Sequence, residues 1–127
     1  MKDQVVGDDK LSTTTTPNKA DKTTTIDVTS KYPQKNTPEF SSVTLSQPTG
    51  ATSIEYTPVD KNGNPTGKTE KQPVTDDKKP TELKFPTPQK ADGVKVVIHY
   101  PTDSLPTPPK VVSSVVCLDE EGKRLYI

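Results

Sequence analysis

The sequence predicts an all-β protein: an antiparallel, jelly-roll-like β-sandwich of about six to eight strands, with a disordered N-terminal tail. Three observations support this fold class. Residues 94–100 alternate apolar and polar side chains with the period of two expected of a half-buried strand. Similar runs follow at spacings of about 8–12 residues, separated by turns rich in proline and glycine. No stretch of the sequence has the apolar spacing of an amphipathic helix.

The apolar residues divide the chain into two parts. Leu, Ile, Val and Phe number 5 in residues 1–39 and 20 in residues 40–127. So few apolar side chains cannot offset the entropy that the first part would lose on folding. We therefore expect residues 1–38 to be a disordered, low-complexity tail rich in Thr and Pro, and residues 39–127 to be one β-sandwich domain.

The composition of the tail is typical of either an O-glycosylated, mucin-like stalk or an unmodified flexible linker. Both interpretations predict an extended and mobile segment. A short strand at residues 26–30 is an alternative for its last part, because β-branched side chains dominate there.

The first strands of the domain are indicated by alternation. Val43 and Leu45 share one side of a strand that a proline- and glycine-containing turn closes. Ile54 and Tyr56 share one side of a second strand. We expect that strand to end, or to bulge, at Pro58, because proline cannot donate a ladder hydrogen bond.

Residues 60–65 contain the strongest turn signal in the chain. Asn62 and Gly63 both tolerate positive φ, as a type I′ hairpin turn requires. The segment 66–74 that follows is mostly polar, so we expect it to form an exposed edge strand protected by its charges.

The second half of the domain predicts four further strands. Residues 83–85 form a short strand that Pro86 stops, and residues 94–100 form the central strand. Residues 111–118 follow a proline-rich loop, and residues 124–127 form a last strand. We expect the central strand to be flanked in the core by residues 111–118 and by the first strand of the domain.

The charge pattern argues against two classes of partner. The 17 basic and 17 acidic residues are interspersed and give zero net charge. Nucleic acids and anionic membrane surfaces are bound by clustered basic residues, and no apolar run reaches the roughly 18 residues of a membrane-spanning helix. We predict neither nucleic-acid binding nor membrane insertion.

The N-terminal sequence has no apolar stretch of the kind found in signal peptides. We therefore expect either that the protein stays inside the cell or that the chain is a fragment of a larger protein.

The residues able to carry chemistry are scattered. His99 is the one histidine, lies on the polar side of its strand and has no Cys partner for zinc, so we expect a surface role. Ser113 and Ser114 lack the glycines of a nucleophile elbow. We predict no enzyme, no cofactor and no catalytic, cofactor-binding or metal-binding residues.

A calcium site is weakly suggested by the spacing of Asp60, Asn62 and Asn64, which is similar to the start of an EF-hand loop. The bidentate Glu expected later in that loop is replaced by Lys71, and Pro65 interrupts the pattern. The motif therefore predicts a turn and not a cation site.

The single cysteine, Cys117, excludes an internal disulfide. Its apolar neighbours indicate a small buried side chain. The alternative is pairing with a cysteine elsewhere in a larger protein, and its partner is not predicted.

The strands at residues 43–45, 53–56, 83–85, 94–98 and 111–118 resemble a known class of accessory module. They are similar to the discoidin-type or galactose-binding-like β-sandwiches of secreted, mucin-like or von Willebrand-type multidomain proteins. In such modules a final apolar strand commonly runs into a single cysteine, as residues 111–118 do at Cys117. The resemblance implies an extracellular location and contact with glycans or extracellular matrix proteins.

We therefore expect a non-catalytic structural or ligand-binding module of an extracellular adhesive or mucin-like protein. A repeat module of a bacterial cell-surface adhesin is the alternative, indicated by the richness in Lys, Thr and Asp, although Cys117 counts against it. A third hypothesis is a calcium-dependent, glycan-binding accessory domain that uses the loops around Asn62 and Asp103. The oligomeric state is left open.

Overall fold

The computed structural model describes residues 2–7, 11–30 and 39–118, with the side chains of residues 11–29 and 39–115. These residues form nine strands: β1 (Lys2–Gly7), β2 (Leu11–Asn18), β3 (Thr23–Ser30), β4 (Glu39–Leu45), β5 (Ser53–Val59), β6 (Glu70–Pro73), β7 (Thr81–Lys90), β8 (Gly93–His99) and β9 (Val111–Leu118). They contain no helix, and so none that could cross a membrane.

Two antiparallel sheets make up the fold. One has four strands in the order β1-β9-β4-β7, and the other has five in the order β2-β3-β8-β5-β6. Buried apolar side chains from both sheets form a single core. This arrangement confirms the predicted all-β class and its antiparallel, two-sheet architecture. The six strands β4–β9 fall within the predicted domain, and β1–β3 precede it.

β8 is the central strand of the five-stranded sheet, as its alternation predicts. Val94, Val96 and Ile98 are fully buried, while Lys95 between them is exposed. β8 pairs with β3 on one side and β5 on the other, so its sheet neighbours differ from those expected. The strands β4 and β9, expected beside it, belong to the opposite sheet.

The expectation that residues 1–38 form a disordered tail is wrong for residues 11–30. They form β2 and β3, and β3 pairs along its length with β8. Ile26 and Val28 are 1% and 0% exposed, and Thr24 is also buried. Two apolar side chains are too few for an independent core but are enough for a strand that adds to an existing sheet. Residues 8–10 and 31–38 lie outside the described part of the chain.

A close backbone approach joins β3 to β8 at Gly93. A Cβ atom at this position would overlap the carbonyl oxygen of Val28, and would lie 2.9 Å from Cγ2 of Thr29. Only glycine therefore allows the two strands to meet here without a shift.

β4 and β5 lie where alternation placed them, with Val43, Leu45, Ile54 and Tyr56 all buried. β5 ends at Val59, one residue beyond the predicted limit at Pro58.

β7 corrects a second prediction, because it continues through Pro86 to Lys90. β7 is the edge of its sheet, where a missing N–H can face solvent. Its pairing with β4 shifts register between Phe40 and Ser42, opposite the proline-containing part of β7. The prolines therefore distort the ladder without ending it.

The turn at residues 60–64 forms, but not as a type I′ turn. The N–H of Gly63 donates to the carbonyl oxygen of Asp60 at 3.0 Å, and Gly63 has a φ of +83°. Asn62 is not among the positive-φ residues of the described chain. The loop is a three-residue connection with a left-handed glycine, which suits a hairpin equally well.

β6 lies at the edge of the five-stranded sheet, as the polarity of residues 66–74 predicts, although the strand is limited to four residues. The predicted last strand at residues 124–127 lies outside the described residues.

Ile26 tests whether residues 11–30 belong to the folded unit. We expect Ile26→Ala to lower the free energy of unfolding by about 2–4 kcal/mol, because it removes a fully buried side chain from the core. Urea denaturation of the whole chain provides the measurement. Thr14→Ala, at an exposed position of β2, is the matched control and should change stability by less than about 0.5 kcal/mol. Equal stability of the Ile26→Ala variant and the wild type would contradict this placement of β3.

Candidate ligand-binding cleft

A cleft of about 350 Å³ lies between the β2–β3 hairpin and the segment that leads into β9. Its lining combines three threonines, two prolines, one lysine and two apolar side chains: Thr13, Thr15, Ile26, Thr107, Pro108, Pro109, Lys110 and Val111. It is a concave feature of the described residues with both polar and apolar lining, and we take it as the candidate site.

β2 supplies one wall of the cleft. The side of the strand that faces inward is mostly polar. Leu11 is buried, and Thr13 and Thr15 share its side of the strand but remain exposed. Across the ladder these threonines pair with Val28 and Ile26 of β3. Their hydroxyl groups therefore stand beside an apolar floor.

The described pairing of β1 with β9 stops short of the first residues of β9. β1 pairs with β9 only as far as Ser113, so Val111 and Val112 have no strand partner on that side among the described residues. Val112 is the one large apolar side chain of the described core region that is exposed, at 43%. Val111 is the residue of this pair that lines the cleft.

The opposite wall is formed by the segment that leads into β9, and contacts at residues 105 and 109–110 hold both ends of this segment in place. Leu105 packs against the core and Pro109 is buried. The N–H of Lys110 donates to Oγ of Ser46 at 2.9 Å, and the N–H of Ser46 donates to the carbonyl oxygen of Lys110 at 2.8 Å. Since Pro108 and Pro109 also have restricted φ, this wall needs little ordering when a ligand binds.

The lining suits a neutral or anionic ligand with many hydroxyl groups. A threonine hydroxyl both donates and accepts hydrogen bonds, and the proline rings offer apolar faces. Lys110 is the one charged residue among the lining residues, which include no carboxylate. This chemistry does not favour a cation.

His99 lies at the end of β8 and is partly buried. Its Nε2 atom is 2.8 Å from Oε1 of Glu55 on the adjacent strand. The contact lacks the angle of a regular hydrogen bond. Within the described residues, no three His, Cys, Asp or Glu side chains converge as metal ligands.

Ser114 has a structural role. Its side chain is 0% exposed, and its Oγ donates to the carbonyl oxygen of Ser42 at 2.7 Å. The hydroxyl is therefore committed to joining β9 to β4.

The turn around Asp60 uses its carboxylate internally. Oδ1 of Asp60 accepts hydrogen bonds from the N–H groups of Asn62 and Asn64 at 2.8 and 2.9 Å. The N–H of Asn64, followed by that of Asn62, holds the pKa of the Asp60 carboxyl below its usual value. These donors occupy Oδ1, one of the two carboxylate oxygens of Asp60, and they stabilise the turn.

The loops around Asn62 and Asp103 lie at opposite ends of β5 and β8. Val59, just before the first loop, is paired with Gly93, whereas Ser53 is paired with His99, just before the second. Six residue steps of a strand separate these pairs by roughly 20 Å. The two loops therefore do not form one site, and the hypothesis of a calcium-dependent accessory domain stays a prediction.

Tyr56 and Tyr100 are core residues, as their side of the strand predicts. They are 4% and 5% exposed, and the Tyr56 hydroxyl donates to the carbonyl oxygen of Lys84 at 2.7 Å. The rings of Tyr56 and Phe85 meet edge to face, with centroids 5.1 Å apart. Neither tyrosine can act as an exposed platform for a sugar.

Cys117 lies in β9, where its backbone pairs with that of Glu39. Both interpretations of this cysteine remain predictions, because its side chain is outside the described set.

The sequence did not identify the cleft, because its two walls come from distant segments. One wall was assigned to the disordered tail, and the other to a loop. The hydroxyl-rich side of β2 could have been found only by recognising residues 11–18 as a strand.

In comparisons with known proteins, no family model, no curated protein and no solved structure matched the chain. The resemblance to discoidin-type modules therefore stays a prediction.

The two buried tyrosines predict a loss of stability in alkali. Burial raises the pKa of Tyr56 and of Tyr100 above 10.0, and the charge of Glu70 adds to the effect on Tyr56. The neutral phenols therefore stabilise the fold below about pH 10, and this contribution is lost as the pH rises through the raised values. Urea denaturation across this range should show stability falling, with phenolate absorbance from these residues appearing late.

Tyr56→Phe and Tyr100→Phe identify the residues responsible, since each variant should remove one late-titrating phenol. Titration of both phenols at the pH of free tyrosine in the folded protein would contradict the prediction.

Proposed function

We propose that the protein is a non-catalytic, ligand-binding module of an extracellular adhesive or mucin-like protein, and that the cleft beside β2 contacts glycan chains. The observation that carries this proposal is the lining itself, in which threonine side chains and prolines line the same cleft. A sugar presents hydroxyl groups at its edges and apolar C–H groups on its faces, so both parts of the lining find a partner.

The surrounding fold supports a binding role. The cleft is built on strands and on a loop fixed at both ends, which hold its groups in place before binding. Lys110 adds a positive charge, so acidic sugars should bind better than neutral ones.

The size and openness of the cleft set the expected strength. A gap of about 350 Å³ is near the lower end of small-molecule sites and accommodates one or two sugar rings. We expect dissociation constants near about 1 mM for short glycans. Useful adhesion would then require several modules acting together.

A glycan array followed by NMR titration of the whole chain tests the proposal. We expect binding of acidic or neutral glycans, with chemical-shift changes centred on Thr13, Thr15 and Lys110. Thr13→Ala/Thr15→Ala should weaken binding by about tenfold, because two hydroxyl partners are lost. A chelator should have no effect, since no carboxylate is among the lining residues.

The matched control is Thr14→Ala/Thr16→Ala, which makes the same change on the other side of β2. It should leave binding unchanged. An absence of chemical-shift changes with glycan at several times the expected dissociation constant, or equal losses in the two double variants, would contradict the proposed site.

A further inference from the structure

No strand of the described residues pairs with the outer edge of β2, and the hydrogen bonds of the sheet show which of its backbone groups point outward. The N–H of Tyr100 donates to the carbonyl oxygen of Lys22 at 2.9 Å. Hydrogen-bonded and non-hydrogen-bonded residue pairs alternate along an antiparallel ladder. The backbone groups of the even-numbered residues of β3 therefore bond to β8, and those of the odd-numbered residues bond to β2. Thr14 and Thr16 are opposite odd-numbered residues of β3, and they therefore bond to it.

The remaining residues of β2 direct their backbone groups away from the sheet. Thr13 and Thr15 each present an N–H and a C=O outward, and Pro17 presents its C=O alone. The position of Pro17 is consistent with this pattern. Proline has no N–H group, and at this outward-facing position no strand of the sheet requires one. Among the described residues, no backbone group bonds to the outer side of β2.

The other three edges of the two sheets, β1, β6 and β7, carry features that discourage pairing. β1 has six residues and begins with the charged residues Lys2 and Asp3. β6 is short and contains Glu70, Lys71 and Pro73. β7 is charged, contains two prolines and has an irregular ladder. β2 has eight residues with no charged side chain, and its single proline is next to its end. Charges, prolines and bulges commonly protect a sheet edge from pairing with another strand, and β2 has the fewest of these features.

We propose that β2 pairs antiparallel with β2 of a second copy of this chain, which joins the two five-stranded sheets across a two-fold axis. The strand is complementary to itself. A register that places Thr13 opposite Thr15 of the second copy lets their outward N–H and C=O groups bond in both directions. The same register places each Leu11 N–H opposite a Pro17 C=O.

The side chains of β2 agree with this pairing. Residues 12–16 are one serine and four threonines, so threonine or serine meets threonine at each central position. Cross-strand threonine pairs are favourable, and with no charge on either strand no repulsion opposes the contact. A different protein with a charged strand would find no opposite charge on β2. This favours a second copy of the same chain as the partner.

Dimerisation also bears on the cleft. Thr13 and Thr15 use their backbone groups at the edge and their side chains in the cleft, so the two clefts of a dimer would lie side by side at the shared strand pair. The inference itself does not depend on what the cleft binds.

Sedimentation equilibrium of the whole chain measures the pairing directly. We expect a reversible dimer with a dissociation constant below about 1 mM. Thr13→Pro/Thr15→Pro removes two outward N–H groups per copy without removing a bond to β3, and it should raise the dissociation constant at least tenfold. Thr14→Lys keeps the backbone intact and should weaken the dimer by placing like charges next to the two-fold axis.

Lys71→Pro is the matched control at the opposite edge. Val74 N–H donates to the carbonyl oxygen of Thr52, which by the same alternation directs the N–H of Lys71 outward. This variant should dimerise like the wild type. Circular dichroism confirms that each variant is folded. A monomeric wild type at about 1 mM, or a dimer unaffected by Thr14→Lys in a folded protein, would overturn the inference.

Discussion

The pairing of β8 with a strand on each side is the constraint on which the rest of the structure depends. Val94, Val96 and Ile98 lie in the middle of the core, and each is next to a buried side chain from β3 and another from β5. The contact with β3 requires Gly93, since no other residue permits the close approach to Val28. Once β3 is in place, β2 can pair with it, and one wall of the cleft exists.

Much of the sandwich could be predicted because alternation reports burial on one side of a strand. Val43, Leu45, Ile54 and Tyr56 all occupy the core positions that their spacing indicates. β3 was predicted only in part, as the alternative strand at residues 26–30. Its first three residues are threonines, which have a high strand propensity but little hydrophobicity. Thr24 is fully buried nonetheless, because apolar neighbours across the sheets supply the rest of the core.

Proline was the second source of error. Pro86 reads as the end of a strand, yet the effect of a proline depends on whether its nitrogen faces a partner. β7 is an edge strand, so the chain continues to Lys90 with a distorted ladder. The edge position of β7 depends on the topology of the whole sheet, and its local sequence does not show it. The cleft was beyond prediction for the same reason, because pairing brings β2 beside the loop before β9.

The claim that residues 11–30 are an integral part of the sandwich is tested most directly by hydrogen exchange on the whole chain, resolved by residue. The amides of Ile26 and Val28 bond to β8, so they should exchange only when the entire domain unfolds, as the amides of β8 do. Protection of these two amides equal to that of Val96 is the result we expect. Exchange at the rate of an unstructured peptide, with β8 still protected, would contradict the account.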